Sequence, residues 1–168
     1  VEVTQGNFDL FNWPTFTGGG QHLRVRTQVG FERQDYVLSF VEPWFLDQRL
    51  SLGFDAFHHQ SNYLSSEYNE TRTGVDLRLE KALNQFLRAG IDYGIQDITE
   101  NVDNTASQEL QSQDGSLWRS SVLGTLVYER RDSIFLTRRG NRTELSAELV
   151  GGPLGGQVSV YKLNAKST

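Results

Sequence analysis

Hydrophobic residues in this chain recur at every second position, over stretches long enough to restrict the fold before any other property is considered. Leu23, Val25, Val29 and Phe31 alternate with His22, Arg24, Arg26 and Gln28. Leu50, Leu52, Phe54 and Ala56 alternate with Ser51, Gly53, Asp55 and Phe57. Further along, Val75, Leu77 and Leu79 alternate with Gly74, Asp76, Arg78 and Glu80, and Leu87, Ala89, Ile91, Tyr93 and Ile95 with Arg88, Gly90, Asp92, Gly94 and Gln96. Near the end, Leu145, Ala147 and Leu149 alternate with Glu144, Ser146 and Glu148. A period of two belongs to strands, in which successive side chains point to opposite faces.

Nine segments read as strands: 1-11, 21-31, 36-45, 50-60, 71-82, 86-98, 119-130, 142-150 and 157-165. Most are about the 9–11 residues that a tilted membrane strand needs, and exceed the roughly 5–6 typical of soluble sheets. No run approaches the roughly 18 consecutive apolar residues of a spanning helix. A mean hydropathy of -0.48 would read as soluble on a hydropathy scan, but a barrel shows lipid only every second residue, so its average stays modest.

The connections fall into two alternating sets. One holds 12-20, 46-49, 83-85 and 131-141; the other holds 32-35, 61-70, 99-118 and 151-156, including the longest, 99-118, which like 61-70 is polar. Outer-membrane barrels alternate short turns with long loops in this way. Trp13, Phe16, Trp44, Phe45, Tyr63, Tyr68 and Trp118 gather at strand ends, where an interfacial belt places amphipathic rings.

The fold expected is an all-β, antiparallel up-and-down transmembrane β-barrel of about eight strands, a single domain over 1-168, with Val1 to Phe11 or Gln157 to Ala165 marginal at the closure. Its lipid-facing set is Leu23, Val25, Val29, Leu50, Leu52, Phe54, Val75, Leu77, Leu79, Leu87, Ala89, Ile91, Leu145, Ala147 and Leu149. Its lumen-facing set is Arg24, Arg26, Asp55, Asp76, Arg78, Arg88, Asp92, Glu144 and Glu148. Ionised groups on regular strand positions suit a wet lumen, because a dry core would charge several kcal/mol for each unpaired one. The expected partners are membrane lipid or detergent, and a second copy through an open strand edge. The competing arrangement is a soluble β-barrel that binds a small apolar ligand, with the apolar set inside.

No enzyme chemistry is legible. There is no cysteine, which excludes disulfides and thiolate metal sites. His58 and His59 are adjacent, so on a strand they point apart and cannot share a metal. Gly151 to Gly156 lacks the lysine and following helix of a phosphate loop and reads as a hairpin turn. The acidic stretch Glu100 to Asp114 has no calcium-loop spacing and reads as a solvated loop. A net charge of -5 argues against nucleic acid as a partner. No catalytic, cofactor or metal site is expected.

Three segments carry a family resemblance. The first is Asn7-Phe8-Asp9-Leu10-Phe11-Asn12, followed by Thr17-Gly18-Gly19-Gly20-Gln21 and Leu23-Arg24-Val25-Arg26. The second is Tyr36-Val37-Leu38-Ser39-Phe40-Val41-Glu42-Pro43-Trp44-Phe45-Leu46, continuing into Arg49-Leu50-Ser51-Leu52-Gly53. The third runs from Tyr128-Glu129-Arg130-Arg131-Asp132-Ser133 to Thr137-Arg138-Arg139-Gly140. In order and spacing the chain resembles the BamA-like outer-membrane assembly proteins, across the first half of their barrel. The resemblance implies a piece of a sixteen-stranded barrel in the bacterial outer membrane. It also implies that the full-length parent folds and inserts outer-membrane protein clients, with no such activity assigned to the piece alone. Physically, Pro43 marks a strand end because it lacks an N–H. Asp132 can reach Arg130, Arg131, Arg138 or Arg139 and hold a rim turn.

Overall fold

The computed structural model describes residues 1–62, 68–102, 115–132, 139–156 and 159–168, with the Tyr68 side chain excluded. Nine strands form one sheet in strict sequence order: β1 (Glu2–Phe8), β2 (Gln21–Val29), β3 (Arg33–Glu42), β4 (Leu50–Asn62), β5 (Tyr68–Ala82), β6 (Leu87–Val102), β7 (Gly115–Glu129), β8 (Arg142–Val150) and β9 (Val160–Ser167). Every neighbouring pair is antiparallel. The expected up-and-down topology is present. The count is nine rather than eight, and the sheet is open, with β1 and β9 at its edges. Both terminal segments pair along most of their length, so neither frays to leave an eight-stranded ring.

Register shows why the strands outrun the hydrophobic pattern. β5 and β6 stay paired from Ala82↔Arg88 to Tyr68↔Val102, through Thr71↔Thr99, Glu70↔Glu100 and Asn69↔Asn101. The expected loops 61-70 and 99-118 are therefore partly strand. Backbone hydrogen bonds continue the ladder after apolar alternation has stopped, since pairing needs no hydrophobic side chain. Tyr63 and the acidic stretch from Asp103 to Asp114 lie outside the described residues.

At the other end the strands stop for identifiable reasons. β3 ends at Glu42, just before Pro43, and the chain turns through Leu46 (φ 58) and Asp47 (φ 56). β1 stops short of residue 11 because its register with β2 slips between Gln5 and Phe8. The Gly151 to Gly156 segment is more than a hairpin turn. It contains a 3-10 turn, Gly152–Leu154, and folds back on β7, where the Ser120 hydroxyl faces the carbonyls of Leu154 (2.9 Å) and Gly155 (2.5 Å).

The β7–β8 connection is pinned at its base. Arg130 N–H donates to Asn141 O (2.9 Å), and Asp132 N–H to Arg139 O (3.0 Å). Asp132 accepts from the Arg139 backbone N–H (3.1 Å), so part of the expected acid-held turn is present. Arg131 instead pairs with Glu129 through two hydrogen bonds of 2.6 and 2.8 Å. The hydrogen bond to Glu129, the largest influence, keeps the Arg131 guanidinium pKa above its ordinary value. Ser133, Thr137 and Arg138 lie outside the described residues.

Gly140 closes this base at φ +102, and a Cβ there would collide with the Arg130 carbonyl oxygen. Gly140→Ala combines a backbone penalty with that collision. It should lower stability by about 1–3 kcal/mol, read as a lower denaturant midpoint on unfolding from detergent micelles.

Candidate functional site

Residues paired directly across neighbouring strands share a face of the sheet. Following register, Leu23 lies opposite Phe40, then Phe54, Leu77, Tyr93, Val122, Leu149 and Tyr161. Adjacent rows on the same face read Val25, Leu38, Ala56, Val75, Ile95 and Leu52, Leu79, Ile91, Gly124, Ala147, Leu163. All fifteen residues assigned to lipid, including Val29, Leu50, Leu87, Ala89 and Leu145, fall on this one face by register. The nine assigned to the lumen fall on the other: Arg24, Arg26, Asp55, Asp76, Arg78, Arg88, Asp92, Glu144 and Glu148.

The apolar face has polar and aromatic borders. Thr27, Tyr36, His58, Thr73, Asp97 and Trp118 form its row on the loop side. On the turn side, Leu87 lies opposite Tyr128, whose ring is 6.4 Å from Phe86. Trp118 and Tyr128 are ten residues apart on β7. At about 3.4 Å per residue and a tilt of about 40° the band is about 26 Å tall, against the roughly 25 Å apolar band of outer-membrane barrels.

None of the described residues packs over this face. Leu77 is 45% and Ile91 58% exposed, and among the described residues the buried hydrophobics are Phe8 and Val150 alone. A soluble barrel needs those side chains in a dry interior, and the structure provides none around them.

The opposite face is a lattice of charges. Arg78 Nε donates to Asp92 (2.6 Å) and Arg78 also lies 3.8 Å from Asp55. Arg24 pairs with Glu2 (3.0 Å), Arg88 with Glu80 (3.6 Å), Arg119 with Glu148 (3.2 Å) and Arg142 with Glu144 (2.9 Å). Register sets Lys162 opposite Glu148 and Lys166 opposite Glu144. Asp76 stands directly opposite Asp55, a repulsive pairing, and has no ion-pair partner within 4.0 Å among the described residues. Such a carboxylate is tolerable in water and costly in hydrocarbon.

The two histidines point apart as expected. His58 meets Thr73 (2.7 Å) on the apolar-face border, and His59 meets Asp35 (3.0 Å) on the charged face, where Arg33 also binds Asp35 (2.7 Å). Leu38 and Phe40 escaped the sequence reading because Tyr36, Val37 and Leu38 run together and hide the alternation. Val37 and Phe57 are apolar on the charged face, and Gly74 makes room for them. A Cβ on Gly74 would lie 2.6 Å from the Phe57 ring.

One layer of antiparallel strands, apolar on one face and ionic on the other, with an aromatic-bordered band of membrane height, is the sheet of a transmembrane β-barrel. The chain belongs to the Omp85 superfamily, whose domain model matches residues 15–168. Among solved structures it is similar to BamA from Haemophilus ducreyi lacking POTRA domains 1-3, with a TM-score of 0.68 and 17% sequence identity. That match covers 99% of this chain and 33% of the BamA chain, so the protein spans about a third of its structural relative. Comparison with curated protein sequences returns no match.

The Arg78–Asp92 pair is half exposed, so solvent screens it. A double-mutant cycle on Arg78→Ala and Asp92→Ala should return a coupling of about 0.5–1 kcal/mol, measured from denaturant midpoints. A coupling of several kcal/mol would mean that the charged face is dry.

Proposed function

We propose that this protein is barrel wall of a bacterial outer-membrane assembly factor, with its apolar face against lipid and its charged face lining a water-filled lumen. The observation that carries the reading is the uncovered apolar face, about 26 Å between aromatic borders, backed by an ionic face containing the unpaired Asp76. In water, an exposed apolar surface spanning nine strands is an aggregation hazard. In a bilayer it is the required surface, and the ladder satisfies the backbone without solvent.

Family membership and likeness to BamA support a role in outer-membrane protein assembly for the full-length parent, with outer-membrane proteins as clients. For this stretch the supported role is structural: wall, lumen charge and lipid contact. A soluble barrel holding an apolar ligand finds no support in a sheet whose apolar side chains enclose nothing.

Orientation is testable by arginine insertion. Leu77→Arg, in the middle of the apolar face, should cost about 2–4 kcal/mol in bilayer stability. Ser39→Arg, opposite Asp55 on the charged face, should stay within about 1 kcal/mol. Both are read by urea titration in vesicles, with heat-modifiable gel migration reporting the folded barrel. Reversed costs would put lipid on the charged side and end the proposal.

A further inference from the structure

The connection between β1 and β2 is a turn-side segment built as a small structure of its own, and it lies on the apolar side of the sheet. Phe40, a member of the apolar face, makes an edge contact with Phe8 (ring centroids 6.4 Å apart). Phe8 stacks on Phe16 (5.8 Å), and Phe16 meets Trp13 edge-on (5.1 Å). This ladder leads without a gap from the apolar face to the tip of the connection. There, Phe11 is 87% and Trp13 78% exposed, with Leu10 beside them.

Beneath the segment lies a polar pair at the border of the apolar face. Gln21, which is buried, donates to Glu42 (2.7 Å) and accepts from the Leu10 N–H (2.9 Å), while Glu42 also accepts from the Trp44 N–H (3.2 Å). Glu42 thereby ties the β1–β2 and β3–β4 turns together. Much of the segment's own backbone is hydrogen-bonded within the connection. Asp9 N–H donates to Phe16 O, Phe11 N–H to the Asp9 carboxylate, Asn12 N–H to Asp9 O, Phe16 N–H to Asn12 O and Gly18 N–H to Asn7 O. A hydrogen-bonded loop presenting aromatic rings needs little water around it, which suits the boundary between headgroups and acyl chains.

We infer that the Asp9–Gly20 connection is a membrane-interface anchor: a preformed flap that shields Gln21–Glu42 and inserts Phe11 and Trp13 into the lipid interface at the turn-side rim. The occupant is the bilayer interface rather than another protein, because the aromatic ladder runs continuously from the face assigned to acyl chains. The inference rests on that lipid assignment, and the test separates the two.

The chain has three tryptophans, Trp13, Trp44 and Trp118. In one variant, W44F/W118F leaves Trp13; in another, W13F/W44F leaves Trp118, which stands on the apolar face itself. Each full chain is refolded into phosphatidylcholine vesicles containing lipid brominated either near the headgroup or near the acyl-chain end. Trp13 emission should fall at least twofold with the shallow label and less with the deep one, and aqueous iodide should quench it weakly. Phe16→Ala in the Trp13 background removes the rung between Trp13 and Phe8. It should halve the shallow quenching of Trp13, and the same change should leave Trp118 quenching intact. Trp13 that is open to iodide and blind to both labels, in vesicles where Trp118 is quenched, overturns the anchor and leaves the patch to a protein partner. Failure of quenching at both tryptophans overturns the lipid assignment with it. Unchanged Trp13 quenching in the Phe16→Ala chain overturns the ladder as what positions the anchor.

Discussion

The strands here are held chiefly by main-chain hydrogen bonds, the inner seven to two neighbours each and β1 and β9 to one. The sheet is one layer thick, and among its described residues only Phe8 and Val150 are buried hydrophobics. An ordinary domain offsets the entropy of ordering its backbone by packing apolar layers against each other. This sheet has no second layer. Its stability requires a medium that treats apolar side chains as solvent-compatible and makes an unpaired N–H expensive, and hydrocarbon does both. The same medium accounts for strict antiparallel order, in which β1 through β9 pair without a crossover.

The charged face follows from the same constraint. With apolar side chains concentrated on one side of the sheet, most ionic residues fall on the other, and charges of both signs meet there across strands. The result is a lattice of exposed or half-exposed pairs, in which Arg78 serves both Asp55 and Asp92. Exposed pairs of this kind contribute little individually. Their effect is on register: a slip of one residue would bring Arg78 and Asp92 onto the apolar face.

The two faces were legible in the sequence because period two is a direct consequence of pleat geometry. Wherever the alternation was clean, as in Leu50 to Ala56 and Leu87 to Ile95, register sets the alternating residues on opposite faces of the sheet. Strand ends were less legible. Between Thr99 and Val102 the ladder persists on backbone bonds alone, which leaves no side-chain signature. The Gln21–Glu42 bridge was illegible for a different reason. It joins residues 21 positions apart on two strands, and Gln21 is buried there under the preceding connection, which bonds it through the Leu10 N–H. Phe8 and Phe16 were read as strand and belt residues. Their stacking depends on the slip in register after Gln5, which composition does not reveal.

Strand direction limits how the two free edges can be satisfied. In an antiparallel meander of nine strands, β1 and β9 run the same way. Two copies inserted with the same orientation would therefore present co-directional strands at any edge-to-edge contact, and pairing would be parallel. The expected second copy is a poor match on that ground, since barrels of this type pair antiparallel throughout. An edge partner running opposite to β1 and β9 restores the pattern. On its charged face beside β9 it would meet Lys162 and Lys166, which register sets opposite Glu148 and Glu144, and acidic residues there would continue the alternation of sign. An odd number of antiparallel strands spanning from β9 round to β1 closes such a ring, which fits the even strand count of bacterial barrels.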